Sequence, residues 1–175
     1  MPPEGLPGGV VQQETASVSP CARRYRCPFC IFLRDGHDQI SHEDDLVFQD
    51  HLVTAFIAPY WWPNNPEHVL VIPNTRYENI SELPRSYGHR IQDVAQAIAL
   101  AFKRVYQCHG VSTVQHNEPA GNQEVWHYHL HVVPRYTGDN LYRSSRGQEI
   151  EPPDQRRAYA EQVKRFLREH PLPAE

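Results

Sequence analysis

The chain has 175 residues, room for one domain with tails, and a core of that size needs no disulfide support. A net charge of −4 without any long block of like charge argues against a nucleic-acid tail or a patch for anionic membranes. No apolar run approaches the roughly 20 residues that span a bilayer, and the opening MPPEGLPGGVVQQETASVSP lacks the features of a secretory signal, so a cytoplasmic protein without membrane or nucleic-acid partners is expected.

In chain order, residues 1–20 are rich in Pro, Gly, Gln and Ser and show no apolar period, which predicts a flexible arm over 1–24. A folded domain over 25–150 follows, and a C-terminal helix within 151–175 is expected to pack on it. The four cysteines (Cys21, Cys27, Cys30, Cys108) are unevenly spaced, which suits thiols or metal ligands better than a disulfide framework. Two short strands are predicted at 46–48 and 52–57 with a turn at Asp50–His51. The segment YWWPNNPEH must be a loop, and HVLVI at 68–72 a strand stopped by Pro73. From Ser86 to Cys108 apolar residues recur at three- and four-residue steps, predicting a long helix that Gly110 closes. Strands at 111–115 and 125–133 follow, the second ended by Pro134. In the last helix Tyr159, Val163, Phe166 and Leu167 share a face, and Arg156, Arg157, Lys164 and Arg165 read as exposed. The order argues for an α+β fold with a mainly antiparallel five-stranded sheet, one long helix and a C-terminal helix.

The sequence WHYHLHVVPR places His127, His129 and His131 at alternate positions. On a strand they line one face, about 6.5–7 Å apart, while Tyr128, Leu130 and Val132 point into the core. Two chemistries fit: three imidazoles holding a zinc ion with an open position, or one imidazole attacking an electrophile while its neighbours fix its tautomer. Upstream, the loop NEPAGNQEV offers Asn117 and Gln123 as neutral donors and the backbone of Gly121 for a phosphate. That favours an anionic substrate attacked by histidine.

His127-Tyr-His129-Leu-His131-Val-Val resembles the motif of the histidine-triad (HIT) family, as do the preceding loop, the trailing Pro134-Arg135 and Gly138-Asp139, and the upstream HVLVIP. The resemblance covers residues 25–140. It implies a homodimer that binds a purine nucleotide or dinucleotide and hydrolyses or transfers nucleoside monophosphates from phosphoramidates, dinucleoside polyphosphates or adenylate conjugates. By that resemblance His129 attacks the α-phosphorus to form a nucleotidyl-histidine, His127 and His131 assist, and Gln123 with the Glu124 backbone supports the phosphoryl oxygens. Asn117 and Gly121 would hold the nucleotide, Phe56 would wall the base, and no metal would be required for catalysis.

Three positions depart from the pattern. Ala58 stands where relatives grip the ribose with Asp or Asn, which leaves Asn64 or Asn65 as substitutes. Glu124 replaces a hydroxyl residue. Cys27-Pro-Phe-Cys30 has metal-knuckle spacing, but Arg76 stands where relatives supply a histidine to the structural zinc; zinc and a pair of buried thiols are both open. Tyr60, Trp61 and Trp62 offer base stacking or plain loop packing, and Arg143 and Arg146 a reach toward a polyphosphate. The rival readings are a binding protein with little turnover and a zinc hydrolase built on the histidine row.

Overall fold

A computed structural model describes residues 25–143 and 150–173. The expected arm over 1–24 and Arg146 lie outside them. Five strands form one antiparallel sheet in the order β1-β2-β3-β5-β4: β1 Leu46–Gln49, β2 Val53–Ile57, β3 Val69–Pro73, β4 Gly110–Val114 and β5 Leu130–Arg135. The helices are α1 Pro28–Asp35, α2 Arg85–Ala101 and α3 Pro153–Glu169. No helix among the described residues is long and apolar enough to cross a membrane.

The sheet has two apolar faces, and each makes a core. Val53, Ala55 and Ile57 of β2, Val69 and Val71 of β3 and Val132 of β5 pack against α2 and α3. The alternate residues Phe56, Leu70 and Ile72 face the other way, with Ala58 just past β2, against Cys27, Phe29 and Phe32 at α1. Every residue of β2 and β3 is buried, which is why β3 reads as an apolar run and β2 as one interrupted only by Thr54, rather than as alternating strands.

Helix α1 was not expected, yet its ends are written locally. Pro28 occupies the first turn after Cys27, and Gly36, with φ of 78°, closes the helix through its N–H to the Phe32 carbonyl. Only a residue tolerant of the left-handed region fits that closure. The long helix ends differently from its prediction. It runs into a π-helical turn, Phe102–Tyr106, which Gln107 terminates in the left-handed region at φ 53°. Gly110 caps nothing and instead opens β4.

Pro134 does not stop β5. It pairs with Val111 of β4, and its carbonyl accepts the Asn65 side-chain N–H at 2.9 Å where β3 has already ended. Proline, lacking an N–H, sits where no ladder bond is lost. Asp139 secures this corner: Arg135 donates to both of its oxygens at 2.7 and 2.8 Å, and Asn65 adds a bond at 2.7 Å. These donors hold its carboxyl well below the usual carboxylate range, Arg135 most strongly.

On α3 the buried stripe is Arg156, Ala160, Val163 and Leu167, so Arg156 corrects the expectation of an exposed basic face. Its side chain is fully buried with Asp45, Nε to Oδ1 at 3.2 Å, and its terminal nitrogen donates to the Ile40 carbonyl at 2.8 Å. The pair ties α3 to the segment ahead of β1.

Candidate active site

The histidine row is not wholly on a strand. β5 begins at Leu130, and only His131 lies within it. The ladder to β3 stops at Val71↔Leu130. Beyond it, the Pro73 carbonyl accepts the His127 ring Nε2–H at 2.8 Å, and the Tyr128 N–H bonds the Tyr77 carbonyl at 2.7 Å. A side-chain bond thus replaces the next backbone rung, while the alternation survives: Tyr128, Leu130 and Val132 enter the core under α2 and α3.

The three imidazoles part company in role. His127 is fully buried and lies outside the site cavity. With Nε2 donating to Pro73, its Nδ1 faces the sulfurs of Cys27 and Cys30 at 3.5 and 3.6 Å. His129 donates Nδ1–H to the backbone carbonyl of His127 at 2.8 Å, which leaves Nε2 with a lone pair. Burial lowers the pKa of His129 most strongly and the His127 carbonyl opposes it; the net direction is down, so the ring is the neutral tautomer at pH 7. His131 lies 5.1 Å from His129, ring to ring.

His129 and His131 open onto a cavity of about 350 Å³, within the usual range for small-molecule sites. Its apolar lining includes Phe29 from α1, with its ring 5.4 Å from His129, and Ile40, Leu70 and Pro59. The loop between β4 and β5 adds His116, Asn122 and Glu124. Two polar groups, Asp38 and Ser41, come from the segment after α1. The Asp38 Oδ1 accepts the N–H groups of Ile40 and Ser41 at 2.7 and 2.6 Å, which leaves its other oxygen for the cavity. Neither Lys nor Arg is among the described lining residues.

Several expected contacts fall elsewhere. Phe56 is fully buried between Phe29 and Phe32, at ring distances of 5.7 and 4.7 Å, so it backs the cavity wall and does not line it. The Gln123 side chain is committed to backbone: its oxygen accepts Glu118 N–H at 2.7 Å, and its nitrogen donates to the carbonyls of Glu78 and Val125. Asn117 bonds Ile80 N–H and Gln115. The Gly121 N–H donates to the Glu118 carbonyl. These three residues shape the loop and do not line the cavity; of the expected nucleotide contacts on the loop, Glu124 does. Asn64 and Asn65 both bond Asp139 and do not line the cavity, so they do not replace what Ala58 lacks. Tyr60, Trp61 and Trp62 do line it, with Trp62 packed 4.6 Å from His68.

Phe29, Asp38, Ser41, His68, His116 and Asn122 also line the cavity, although the sequence pattern did not single them out. His68 stacks on His131 at 5.3 Å, and burial lowers its pKa to about 3. Phe29 was legible from the pairing of Pro28 at a helix start with Gly36 eight residues on. His68 and His116 reach the site only through strand register.

Among the described residues the one group of His, Cys, Asp or Glu side chains close enough to share an ion is Cys27, Cys30 and His127, with ligand atoms within 4.8 Å of one another. The triad does not form such a group, so the zinc-hydrolase reading loses its geometry. In tetrahedral zinc, bonds of about 2.3 Å to sulfur and 2.0–2.1 Å to nitrogen put S and N about 3.5 Å apart, which matches the separations here. Arg76, at the expected fourth position, donates to the Trp126 carbonyl at 2.9 Å and pairs with Glu78 at 2.8 Å.

The HIT domain family profile matches residues 39–138. The chain is 35% identical over 94 residues to protein hit of Bacillus subtilis, covering 51% of this chain and 61% of that one. It is 32% identical over 103 residues to an AP-4-A phosphorylase of Mycobacterium tuberculosis, 58% of this chain and 52% of that one. It is also 29% identical over 92 residues to a purine nucleoside phosphoramidase of Escherichia coli, 51% and 74% of the two chains. Among solved structures, a Hit-like protein of Bartonella henselae superposes with a TM-score of 0.70 at 27% identity, covering 81% of this chain and 96% of that one. A zinc-bound histidine triad family protein of Mycobacterium smegmatis gives 0.67 at 26%, covering 82% and 94%. With the alternating histidines, the antiparallel sheet and the matched domain all in register, the chain belongs to the histidine-triad family.

Proposed function

We propose that the chain is a nucleotide hydrolase or nucleotidyl transferase that uses His129 as a covalent nucleophile on the α-phosphate of a nucleoside phosphoramidate, dinucleoside polyphosphate or adenylate conjugate. One observation carries the reading. His129 is a buried, neutral imidazole whose Nδ1–H is tied to the His127 carbonyl, so its free nitrogen is the lone pair that an attack on phosphorus requires. His127 then acts through its backbone rather than as a proton carrier. The names of the phosphorylase and phosphoramidase relatives agree with this class of chemistry. Base and sugar suit the apolar lining, and the second oxygen of Asp38 offers an acceptor for ribose hydroxyls. Intact-mass measurement during turnover of an adenylate substrate is expected to show one transient nucleotidyl adduct per chain. No adduct and no turnover, with AMP still bound, would establish the binding-protein reading, which Ala58 keeps in contention.

A structural zinc on Cys27, Cys30 and His127 completes the proposal. These donors fit three tetrahedral positions, and the bond from His127 Nε2–H to Pro73 fixes the tautomer that frees Nδ1 for metal. The ion would supply a cross-link between the start of α1 and the segment carrying His129; it lies off the cavity and serves no chemical step. Burial pushes the Cys27 thiol up to about 12, so without metal Cys27 stays protonated. The purified protein is expected to carry about one zinc, and Cys27→Ser to lose it and to lower Tm by about 10 °C. A metal-free wild type with the same Tm as the variant would exclude the site.

A further inference from the structure

We propose that His116 is the proton donor to the leaving group, and that the site is accordingly built for a leaving group that departs as a neutral, protonated species rather than as a polyphosphate. This rests on the nucleotidyl-transfer reading above.

His116 follows β4, and its Nδ1 is tied to the Gly121 carbonyl at 2.8 Å. The ring lines the cavity and sits edge-on to His131, 6.2 Å away. It is therefore held as His129 is held, with Nδ1 on a backbone carbonyl and Nε2 left for the cavity. Histidine is the side chain best suited to give and retake a proton near neutrality. In the row of ring contacts Phe29, His129, His131 and His116 follow one another at 5.4, 5.1 and 6.2 Å, so two histidines stand between Phe29 and His116, and a nucleoside against Phe29 leaves the His116 side for the leaving group.

The charge of the cavity points the same way. The described lining residues include two carboxylates, Asp38 and Glu124, and no Lys or Arg. A departing polyphosphate carries several negative charges and is normally held by cationic groups. An amine meets no such repulsion, but it leaves a phosphorus centre poorly unless it is protonated. In the first step the His129 Nε2 lone pair forms the P–N bond while the bond from phosphorus to the leaving nitrogen breaks. That nitrogen keeps the electron pair and takes a proton from Nε2 of His116, which enters the step as the imidazolium and leaves it as the neutral ring with Nδ1–H still on the Gly121 carbonyl. In the second step water attacks the phosphorus, the P–His129 bond breaks with its electron pair returning to Nε2, and His116 takes the proton lost by the water.

The test compares leaving groups in single-turnover experiments on wild type and His116→Gln, following leaving-group release. Glutamine retains an amide that can hold the Gly121 carbonyl. Adenosine 5′-phosphoramidate needs the proton; the p-nitrophenyl ester of AMP, whose leaving group is stable as an anion, does not. The expected result is a loss of about 10²-fold on the phosphoramidate and less than about 3-fold on the nitrophenyl ester, whose turnover also shows that the variant is folded. Equal losses on both substrates, or none on either, would overturn the role of His116 while leaving His129 catalysis intact. Wild-type failure on both substrates would remove the nucleotidyl-transfer reading and this one with it. Diadenosine tetraphosphate supplies the charge arm: wild type is expected to prefer the phosphoramidate by about 10-fold or more in kcat/KM, and the reverse preference would overturn the neutral-leaving-group assignment.

Discussion

His129→Ala is expected to lower kcat/KM by about 10⁴-fold or more and to abolish the nucleotidyl adduct, while AMP still binds within a few-fold of wild type. The size follows from the covalent step. Without the imidazole the α-phosphate faces no nucleophile except water, and only positioning by the cavity walls remains. The near-normal binding follows from which groups hold the nucleotide: the apolar wall of Phe29, Ile40 and Leu70 and the acceptor on Asp38 are untouched by the change. The ring packs edge-on against Phe29 at 5.4 Å, so its removal opens room beside the phosphate without disturbing α1. Steady-state kinetics and equilibrium AMP binding on the same preparation separate the two effects. A variant that keeps more than about 1% of wild-type turnover would mean that another group attacks phosphorus. A variant that loses both turnover and AMP binding would mean that His129 is chiefly a structural contact.

The site was legible where it depends on local pattern and obscure where it depends on register. Alternation alone separated His127, His129 and His131 from the core residues between them, and the two-sided burial of β2 and β3 is visible in apolar runs that only Thr54 interrupts. Alternation does not say where a strand starts. The His127 ring bonds the Pro73 carbonyl in place of a backbone rung, and that bond turns the first histidine away from the other two. Nor does local pattern reveal which distant residue lies across a ladder. His68 reaches the site because the neighbouring Leu70 pairs with His131, and His116 because it follows Val114, which pairs with His131 from the other side. Gln123 and Asn117 were identified by their polar type, yet type does not show whether an amide faces a ligand or its own loop. Arg156 is the opposite case. Its spacing from Ala160, Val163 and Leu167 marked the buried stripe, and its charge argued against the position that the spacing indicated.

That buried arginine carries the second large effect. Arg156→Ala is expected to cost about 3–5 kcal/mol at pH 7.5, the usual penalty for removing one partner of a buried ion pair, and a smaller amount at pH 5. Asp45 and Arg156 are both fully buried, but their contact is poorly aligned: Asp45 Oδ1 and Arg156 Nε make no hydrogen bond, and the better bonds run from His42 N–H to Asp45 and from Arg156 to the Ile40 carbonyl. Burial therefore outweighs the attraction and raises the Asp45 carboxyl to about 6. A carboxyl raised above its ordinary value of about 3.9 contributes its full stability below that value and loses it as pH rises through about 6. Removing Arg156 takes away a charge that lowers this pKa, so the variant must lose more stability over the same rise in pH. At pH 5 Asp45 is already mostly protonated in the folded wild type, and the penalty shrinks to lost packing and the lost bond to Ile40. Urea unfolding at the two pH values measures this directly, and a penalty independent of pH would show that the pair is not ionised at pH 7.5. The double variant Asp45→Leu, Arg156→Met removes both charges at similar volume and is expected to recover most of the loss, because what α3 needs at this point is a filled, neutral contact with the segment ahead of β1.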